Sequence, residues 1–347
     1  MRVAVNCAIA TRGVSGSARG LEHLLGALSR MEEVCVDQLW PRIQMRRSHV
    51  WNAGAQAGWD LRLAAGEATH ADVLVSPCNV GLARSGQAHV VVLHDTMVLD
   101  LPHLFDRGYA AYAHALFGIS VCHADVVLVP SGFTERCVRR RWPSCPPTIV
   151  ARWPLKVQPV RDTATVEIGH VVMVGATEPH KHHALGLKAV RMARDITGAD
   201  LRLTLIGPAG RAENTVEAAR RRVDPRSAWT SRLSGLSDDE LDAWYGRAWV
   251  LLQPSSAEGY GLPVGEAASR GIPAVHSGMG ALNEIAPGGV RDADDAASYA
   301  IEVSSLLDST RYVEAAQAAI AAAGQLSDVH FTAAVKTALG VAMSPGR

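Results

Sequence analysis

Short runs of β-branched and aliphatic residues recur along the 347-residue chain, each followed by a loop and then by a longer stretch with helical spacing. The runs are Val3–Ile9, Val34–Leu39, Asp72–Val75, His89–Leu93 and Asp125–Val129, then His170–Val174, Leu201–Ile206, Trp249–Leu252 and Pro273–His276. Between them lie Ala- and Leu-rich segments such as Leu21–Arg30, Tyr109–His123 and Lys181–Ile196. Continuous apolar strands alternating with helices predict parallel sheets covered on both faces, an α/β protein. After Asp292 the pattern is helical to the end, over Ser298–Leu307, Tyr312–Gly324 and Val329–Ala342. Trp153–Gly169 carries two prolines and no apolar period, which marks it as the boundary between two domains.

Composition narrows the choices. Lys+Arg and Asp+Glu are both 34, so the net charge is zero and the basic footprint of a nucleic-acid binder is missing. No run of apolar residues reaches the length of a spanning helix, and the opening MRVAVNCAIATRG lacks the features of a secretory signal, so a cytoplasmic protein is expected. The 6 cysteines form no Cys-x-x-Cys pair and read as reduced thiols. Thirty arginines against four lysines reflect a GC-rich genome more than a task for arginine.

Open α/β sheets bind ligands at the carboxyl ends of their strands, so the chemistry is sought in the loops that follow them. Thr11–Gly20, TRGVSGSARG, has glycines at 13 and 16 that would let backbone approach a phosphate, though the spacing is not that of dinucleotide binding. His94 and Asp95 follow the fourth run. His94 either meets a sugar hydroxyl or a proton in transit, or is satisfied by local backbone. In Val171–His183, Lys181 is expected to begin a helix and to offer an ammonium to a diphosphate. The neighbouring Glu178, His180, His182 and His183 suggest a metal site only weakly, because they lack a consistent ligand geometry. Glu258–Ala274, EGYGLPVGEAASRGIPA, places Glu258 in a glycine-rich loop and Glu266 in the first turn of a helix, two carboxylates suited to acid/base work or to binding vicinal hydroxyls. The alternative for Glu266 is simple complementation of the helix dipole. Asp292-Ala293-Asp294, followed by Asp295-Ala296-Ala297 at a helix start, reads as capping by acidic residues rather than a metal motif, and Ser237–Glu240 as a capping box. The basic run Arg136–Arg141 reads first as a solvated helix face, with contact to anionic lipid or an acidic acceptor as the alternative.

The segment Glu258–Ala274 resembles the E-x7-E region of family 4 glycosyltransferases, and the supporting stretches occur in family order: GVSGSAR, LHD at Leu93–Asp95, ADVVLVPSGFT at Ala124–Thr134, VGATEPHK at Val174–Lys181 and GLSDDELDAWYGRAWVLLQPSS at Gly235–Ser256. The resemblance implies the GT-B fold, two Rossmann-like doubly wound parallel-sheet domains facing across a cleft. It implies an N-terminal acceptor domain over 1–160, a nucleotide-sugar domain over 168–325, and a C-terminal helix over 326–347 that crosses back to the first domain. The implied activity is retaining transfer of a hexose-type sugar from a nucleotide diphosphate sugar to an acceptor hydroxyl, without metal or other cofactor. By this likeness Glu258, Lys181 and His94 are the catalytic residues, and Gly16, Glu266, Gly259, Tyr260, Gly261, Leu262 and Leu233 bind the nucleotide sugar, with the base near Leu233–Leu236. Asp95 lies on the acceptor side. The implied partners are the nucleotide sugar and a sugar, lipid-linked or small-molecule acceptor, with no nucleic acid and with peripheral contact at the inner membrane face left open. The chain departs from the common E-P-R-K-N pattern at His180 and His182, and Arg12 or Arg19 are candidates for the missing cation. An epimerase or phosphorylase activity, or a catalytically silent sugar-nucleotide-binding subunit, are the competing readings on the same architecture, and the glycine spacing disfavours a nicotinamide dehydrogenase.

Overall fold

The computed structural model describes residues 1–12, 16–41, 58–67, 70–83, 86–155 and 166–344. The chain divides into two compact units, Met1–Pro154 together with Leu326–Arg347, and Leu155–Gln325. Each is an α/β unit built on one parallel sheet.

The sheet of the first unit contains β1 (Arg2–Asn6), β2 (Cys35–Leu39), β3 (Val73–Ser76), β4 (Ala88–Val92), β5 (Val126–Val129) and β6 (Thr148–Val150), in the order β2-β1-β3-β4-β5-β6. Every pairing is parallel, with Val3 opposite both Val36 and Val73. Strands β3 and β5 are buried at every residue, as apolar runs covered on both faces must be. On one face Phe117 and Val121 of helix Arg107–His123 and Val138 of helix Gly132–Arg141 pack with Val91 and Val127. The helices start where side chains cap them: Asp106 accepts from the backbone N–H groups of Gly108 and Tyr109, and Ser131 from that of Thr134. Helix Asp328–Ala342 belongs to this unit, burying Phe331, Val335, Ala338 and Leu339. Its exposed ion pairs with Arg30 and Glu33 add little beside that burial.

The sheet of the second unit contains β7 (His170–Val174), β8 (Arg202–Ile206), β9 (Thr230–Leu233), β10 (Val250–Gln253) and β11 (Ala274–His276), in the order β11-β10-β7-β8-β9, again all parallel. Its core joins Met173, Leu187, Leu203, Trp249, Leu252 and Tyr299. Asp295 caps helix Ala296–Ser305, and Ser237 with Glu240 forms the capping box of helix Asp238–Arg247.

The structure departs from the sequence reading at several places. The first strand stops at Asn6 instead of running to Ile9. The Asn6 carboxamide oxygen accepts from Ala8 N at 3.1 Å and Trp59 Nε1 at 2.9 Å, and a 3-10 turn, Ala8–Arg12, follows. Strands β6 and β9 left no mark in the pattern because they are short edge strands buried fully only at their first residue, β9 carrying Ser231 and Arg232, whereas the equally short edge strand β11 buries Val275 and His276. Lys181 does not begin a helix: it ends the 3-10 turn Pro179–Lys181, His182 follows in the left-handed region at φ 48°, and the helix is His183–Thr197. The units divide at Pro154/Leu155, inside the boundary segment Trp153–Gly169 read from the sequence, while position 160, where that reading ended the first domain, lies outside the described residues. All 6 cysteines are free. Among the described residues, no helix is long and apolar enough to cross a membrane.

One close approach shapes the carboxyl edge of the second sheet. Gly207, at φ +146°, brings its Cα so near the loop after β7 that an added Cβ would lie 2.3 Å from the Gly175 carbonyl oxygen. Gly198, at φ +68°, has nothing within 4 Å. Gly207→Ala is therefore expected to lower the Tm by roughly 5 °C or more beyond the effect of Gly198→Ala, since the clash adds to the backbone strain common to both. Equal Tm values for the two variants would show that the loops separate without cost.

Candidate active site

In the second unit the chain lays β8 and β9 on one side of β7, then returns to place β10 and β11 on the other. The loops after β7 and β10 thus leave adjacent strands in opposite directions, which opens a crevice at the carboxyl edge of the sheet, the usual ligand position in open α/β sheets. Lys181 is on the first of these loops and Glu258 on the second.

The two side chains meet. Lys181 Nζ donates to Glu258 Oε1 at 2.6 Å, and Gln253 Nε2, at the end of β10, donates to the same oxygen at 2.9 Å. Glu258 is only 6% exposed. Burial by itself would raise its carboxyl, but the Lys181 ammonium, with smaller contributions from His180 and the Ser255 hydroxyl, more than offsets this and holds it below the usual carboxylate range. An ammonium carries three donors. Among the described residues one is used on Glu258, which leaves Lys181 two for an anion.

Backbone bonds fix this pairing. Ser256 N donates to the His180 carbonyl at 2.8 Å, stitching the loop after β10 to the 3-10 turn that carries Lys181. Ala281 N donates to the Glu258 carbonyl at 2.9 Å, and Gly280 lies so close that a Cβ there would be 2.2 Å from that oxygen. His180 and His183 are buried beside the pair, and burial pushes both down to about 4, the Lys181 charge adding to the effect. They are neutral imidazoles near neutral pH.

Glu266 has a different partner. It is half-buried on helix Leu262–Ala268, and its Oε2 accepts from the Tyr245 hydroxyl at 2.8 Å. Arg270, one turn on, donates to the Glu266 carbonyl at 2.8 Å and packs over the Tyr245 ring. The bond of Glu266 to Tyr245 is thus distinct from the bonds that Lys181 and Gln253 make to Glu258. Gly259 and Tyr260 are buried in the glycine loop, Gly261 caps the helix at φ 99°, and Leu262 begins it. Leu233 ends β9; its carbonyl accepts from Gly207 N at 3.0 Å and from Arg232 Nη1 at 2.6 Å. Arg232 also reaches Glu213, which accepts from Thr177, so the edges of β7, β8 and β9 share one polar network.

The remaining sequence candidates lie in the first unit. His94 follows β4 and is 9% exposed. Its Nε2 donates to the Pro77 carbonyl at 2.8 Å, so local backbone satisfies one ring nitrogen, and its backbone N–H donates to Asn79 Oδ1 at 2.8 Å. Burial, partly opposed by the Pro77 hydrogen bond, lowers it to about 4. Asp95 Oδ1 accepts from Met97 N at 2.9 Å, a local turn contact. Gly16 is the first residue of helix Gly16–Ser29; Gly13 lies outside the described residues, as does the side chain of Arg12. In the basic run, Arg139 pairs with Glu135, and Arg141 with Asp100, on an exposed helix face. Among the described residues, no group of three or more His, Cys, Asp or Glu is placed to hold a metal ion.

Sequence reasoning missed Gln253 and Tyr245. A glutamine closing an otherwise apolar strand, Val250–Gln253, was the available signal for the first. A buried tyrosine needs a hydroxyl partner, but nothing in the sequence named Glu266 as that partner.

Residues 169–309 match the family model described as glycosyl transferases group 1. The O-antigen chain mannosyltransferase B of Escherichia coli is 26% identical over 243 residues, which cover 66% of this chain and 64% of that protein. The chain thus spans somewhat less than two thirds of that relative's length. Among solved structures, the sucrose-phosphate synthase from Thermosynechococcus elongatus has a TM-score of 0.74 at 14% identity, over 97% of this chain and 98% of that one. HepE from Anabaena, in complex with UDP and glucose, also has a TM-score of 0.74, at 13% identity, over 98% of this chain and 99% of that one. These likenesses establish the fold as GT-B, with two Rossmann-like parallel-sheet units.

Two measurements test the site. Lys181→Met leaves a buried carboxylate without its cation and is expected to cost about 3–5 kcal/mol, whereas Lys181→Met/Glu258→Gln should recover much of that loss. Thermal melts of the single and double variants check it; a double variant no more stable than Lys181→Met would dissolve the pairing. The second concerns acid. His89, His94, His180, His183 and His276 are each lowered to about 4 by burial, so the folded protein refuses protons that the unfolded chain accepts below its ordinary value near 6.5. Stability is then full above that value and declines as pH falls towards 4, at up to about 1.4 kcal/mol per pH unit for each histidine. Melting curves from pH 7.5 to 4.5 should show a steep fall in Tm below pH 6, and a flat profile would contradict the neutral buried state.

Proposed function

We propose that this protein is a retaining glycosyltransferase of the family 4 kind, moving a hexose from a nucleotide diphosphate sugar to an acceptor hydroxyl without a metal ion. The observation that carries this reading is the Lys181–Glu258 pair, held at the strand-order reversal of the second sheet and within the segment that matches the glycosyl transferases group 1 model. The mannosyltransferase relative favours mannose as the sugar and a growing glycan as the acceptor.

The chemistry needs a group that stabilises a departing diphosphate and groups that hold the sugar ring. In the transfer, the bond from the anomeric carbon to the phosphate oxygen breaks and a bond to the acceptor oxygen forms on the same face. The acceptor proton passes to the leaving phosphate, giving a glycoside and a nucleoside diphosphate. Lys181 sits where the two remaining donors of its ammonium meet the developing phosphate charge. Glu258 is ionised and places negative potential near the oxocarbenium-like carbon. Glu266, with its geometry set by Tyr245, takes the ribose hydroxyls, and Gly259, Tyr260, Gly261 and Leu262 line the diphosphate and sugar, the two glycines adding no steric bulk. The base lies near Leu233, Gly16 packs against the diphosphate, and His94 and Asp95 serve the sugar and acceptor side.

The test is incubation of the protein with GDP-mannose, UDP-glucose or UDP-N-acetylglucosamine and mannose-bearing acceptors, with and without EDTA. Release of nucleoside diphosphate and the anomeric configuration of the product are followed by NMR. One donor is expected to give an α-linked product at a rate indifferent to EDTA. Lys181→Ala should lower turnover by about 10²-fold, comparable with loss of one oxyanion donor. An altered nucleotide sugar formed without acceptor, or turnover unaffected by Lys181→Ala, would overturn the assignment.

A further inference from the structure

Trp153 is the next-to-last residue of the first unit before the chain passes into the second, and Phe331 follows shortly after the chain returns at Leu326. Their rings pack together, with centroids 5.2 Å apart at 50°. The Trp153 indole also meets His94, at 5.6 Å and 35°. Helix Gly16–Ser29 closes on the same edge: a Cβ at Gly20 would lie 3.0 Å from His94 Cε1 and 3.0 Å from Trp153 Cζ2. One turn further along that helix, His23 stacks on the indole at 6.4 Å and 20°. Trp153 and Phe331 are 4% and 1% exposed, so neither ring has room to swing.

The opposite constraint on His94 is polar. The Pro77 carbonyl accepts from Nε2 at 2.8 Å. A carbonyl only accepts, so Nε2 carries the proton, and in the neutral imidazole Nδ1 is left with a lone pair. The ring is therefore an acceptor at Nδ1, not an acid. Its usefulness depends on the plane of the ring, which the Pro77 hydrogen bond alone does not set.

We infer that Trp153 is a positioning residue for His94: its indole, backed by Phe331, fixes the imidazole plane in which Nε2 stays on Pro77 and Nδ1 offers its lone pair to a hydroxyl of the bound sugar. The inference rests on the proposed placement of His94 at the sugar. It gives the residue at the outgoing chain crossing and the helix at the returning one a common role, since both act on one catalytic ring. The small residue at position 20 has the same explanation, because any side chain there would displace the two rings.

The test combines imidazole NMR of the full-length protein, labelled with 15N-histidine and assigned with His94→Asn, with kinetics on the donor that supports transfer. The variants are Trp153→Phe, Trp153→Leu and Phe331→Leu. In the wild type, His94 should show a single Nε2–H tautomer that persists well below pH 6. Trp153→Leu should introduce the second tautomer, move the His94 titration towards the ordinary histidine value, and lower kcat about tenfold to a hundredfold with donor KM within about twofold. Trp153→Phe should restore most of both, and Phe331→Leu, which keeps the indole, should give a smaller shift in the same direction. If Trp153→Leu fails to fold, the Phe331→Leu spectrum decides. A His94 whose tautomer and titration are unchanged in Trp153→Leu, or in Phe331→Leu when that variant alone folds, overturns the inference. A disturbed His94 in Trp153→Leu with normal turnover in His94→Asn would uphold the contact and instead remove His94 from the sugar site.

Discussion

A parallel strand is joined to its parallel neighbour only by a crossover that carries the chain back to the starting edge, so every loop that follows a strand emerges on the same side of the sheet. In each unit of this protein all strand pairings obey that rule. The polar chemistry of Leu155–Gln325 therefore collects at one edge. Reversal of strand order between β7 and β10 then decides which two of its loops part to make room for a ligand. Lys181 and Glu258 are 77 residues apart in the chain and 2.6 Å apart in space for that reason.

Around this pair the structure spends its irregular backbone. The 3-10 turn Pro179–Lys181, the left-handed His182, and the glycines at 207, 261 and 280 all lie in post-strand loops, while the strands beneath them are regular and apolar. The division of labour is mechanical. Buried valines and leucines make a stiff platform, and small or strained residues let backbone from different loops approach closely enough to share hydrogen bonds. Ser256 N on the His180 carbonyl and Ala281 N on the Glu258 carbonyl are the results. A buried carboxylate in such a place is tolerable because a cation and an amide meet it, and its ionised state follows from that company.

The first unit uses histidine differently. His94 is held by the Pro77 carbonyl on one nitrogen and by the Trp153 indole beside the ring, and burial keeps it neutral near neutral pH. The sequence reading left two roles for it, local satisfaction and ligand contact. Among the described residues, the Pro77 carbonyl meets one of its two ring nitrogens, which is the local satisfaction of the first role.

Much of this was legible in the chain itself. Apolar runs separated by helical segments determined the α/β class, because burial on both faces leaves a strand no polar positions, and the central strands other than β1 were located to within a residue or two. The spacing of Glu258 and Glu266 marked the glycine loop, and Asp295 and Ser237 announced their helices by cap chemistry. Tertiary structure decided the rest. The sequence could not show that Lys181 sits in a 3-10 turn, because that turn is held by Ser256 from a distant loop. Nor could it show that Glu258 pairs with Lys181 and Gln253 while Glu266 turns to Tyr245, since hydrogen-bond partners depend on strand order, which no local pattern encodes. Strands β6 and β9 were invisible for a related reason: they are partly exposed and hold their place by pairing with a neighbour, without the apolar run that marked the other edge strands, β2 and β11. Local patterns are set by short-range sterics and burial, and the site is set by contacts between residues far apart in the chain.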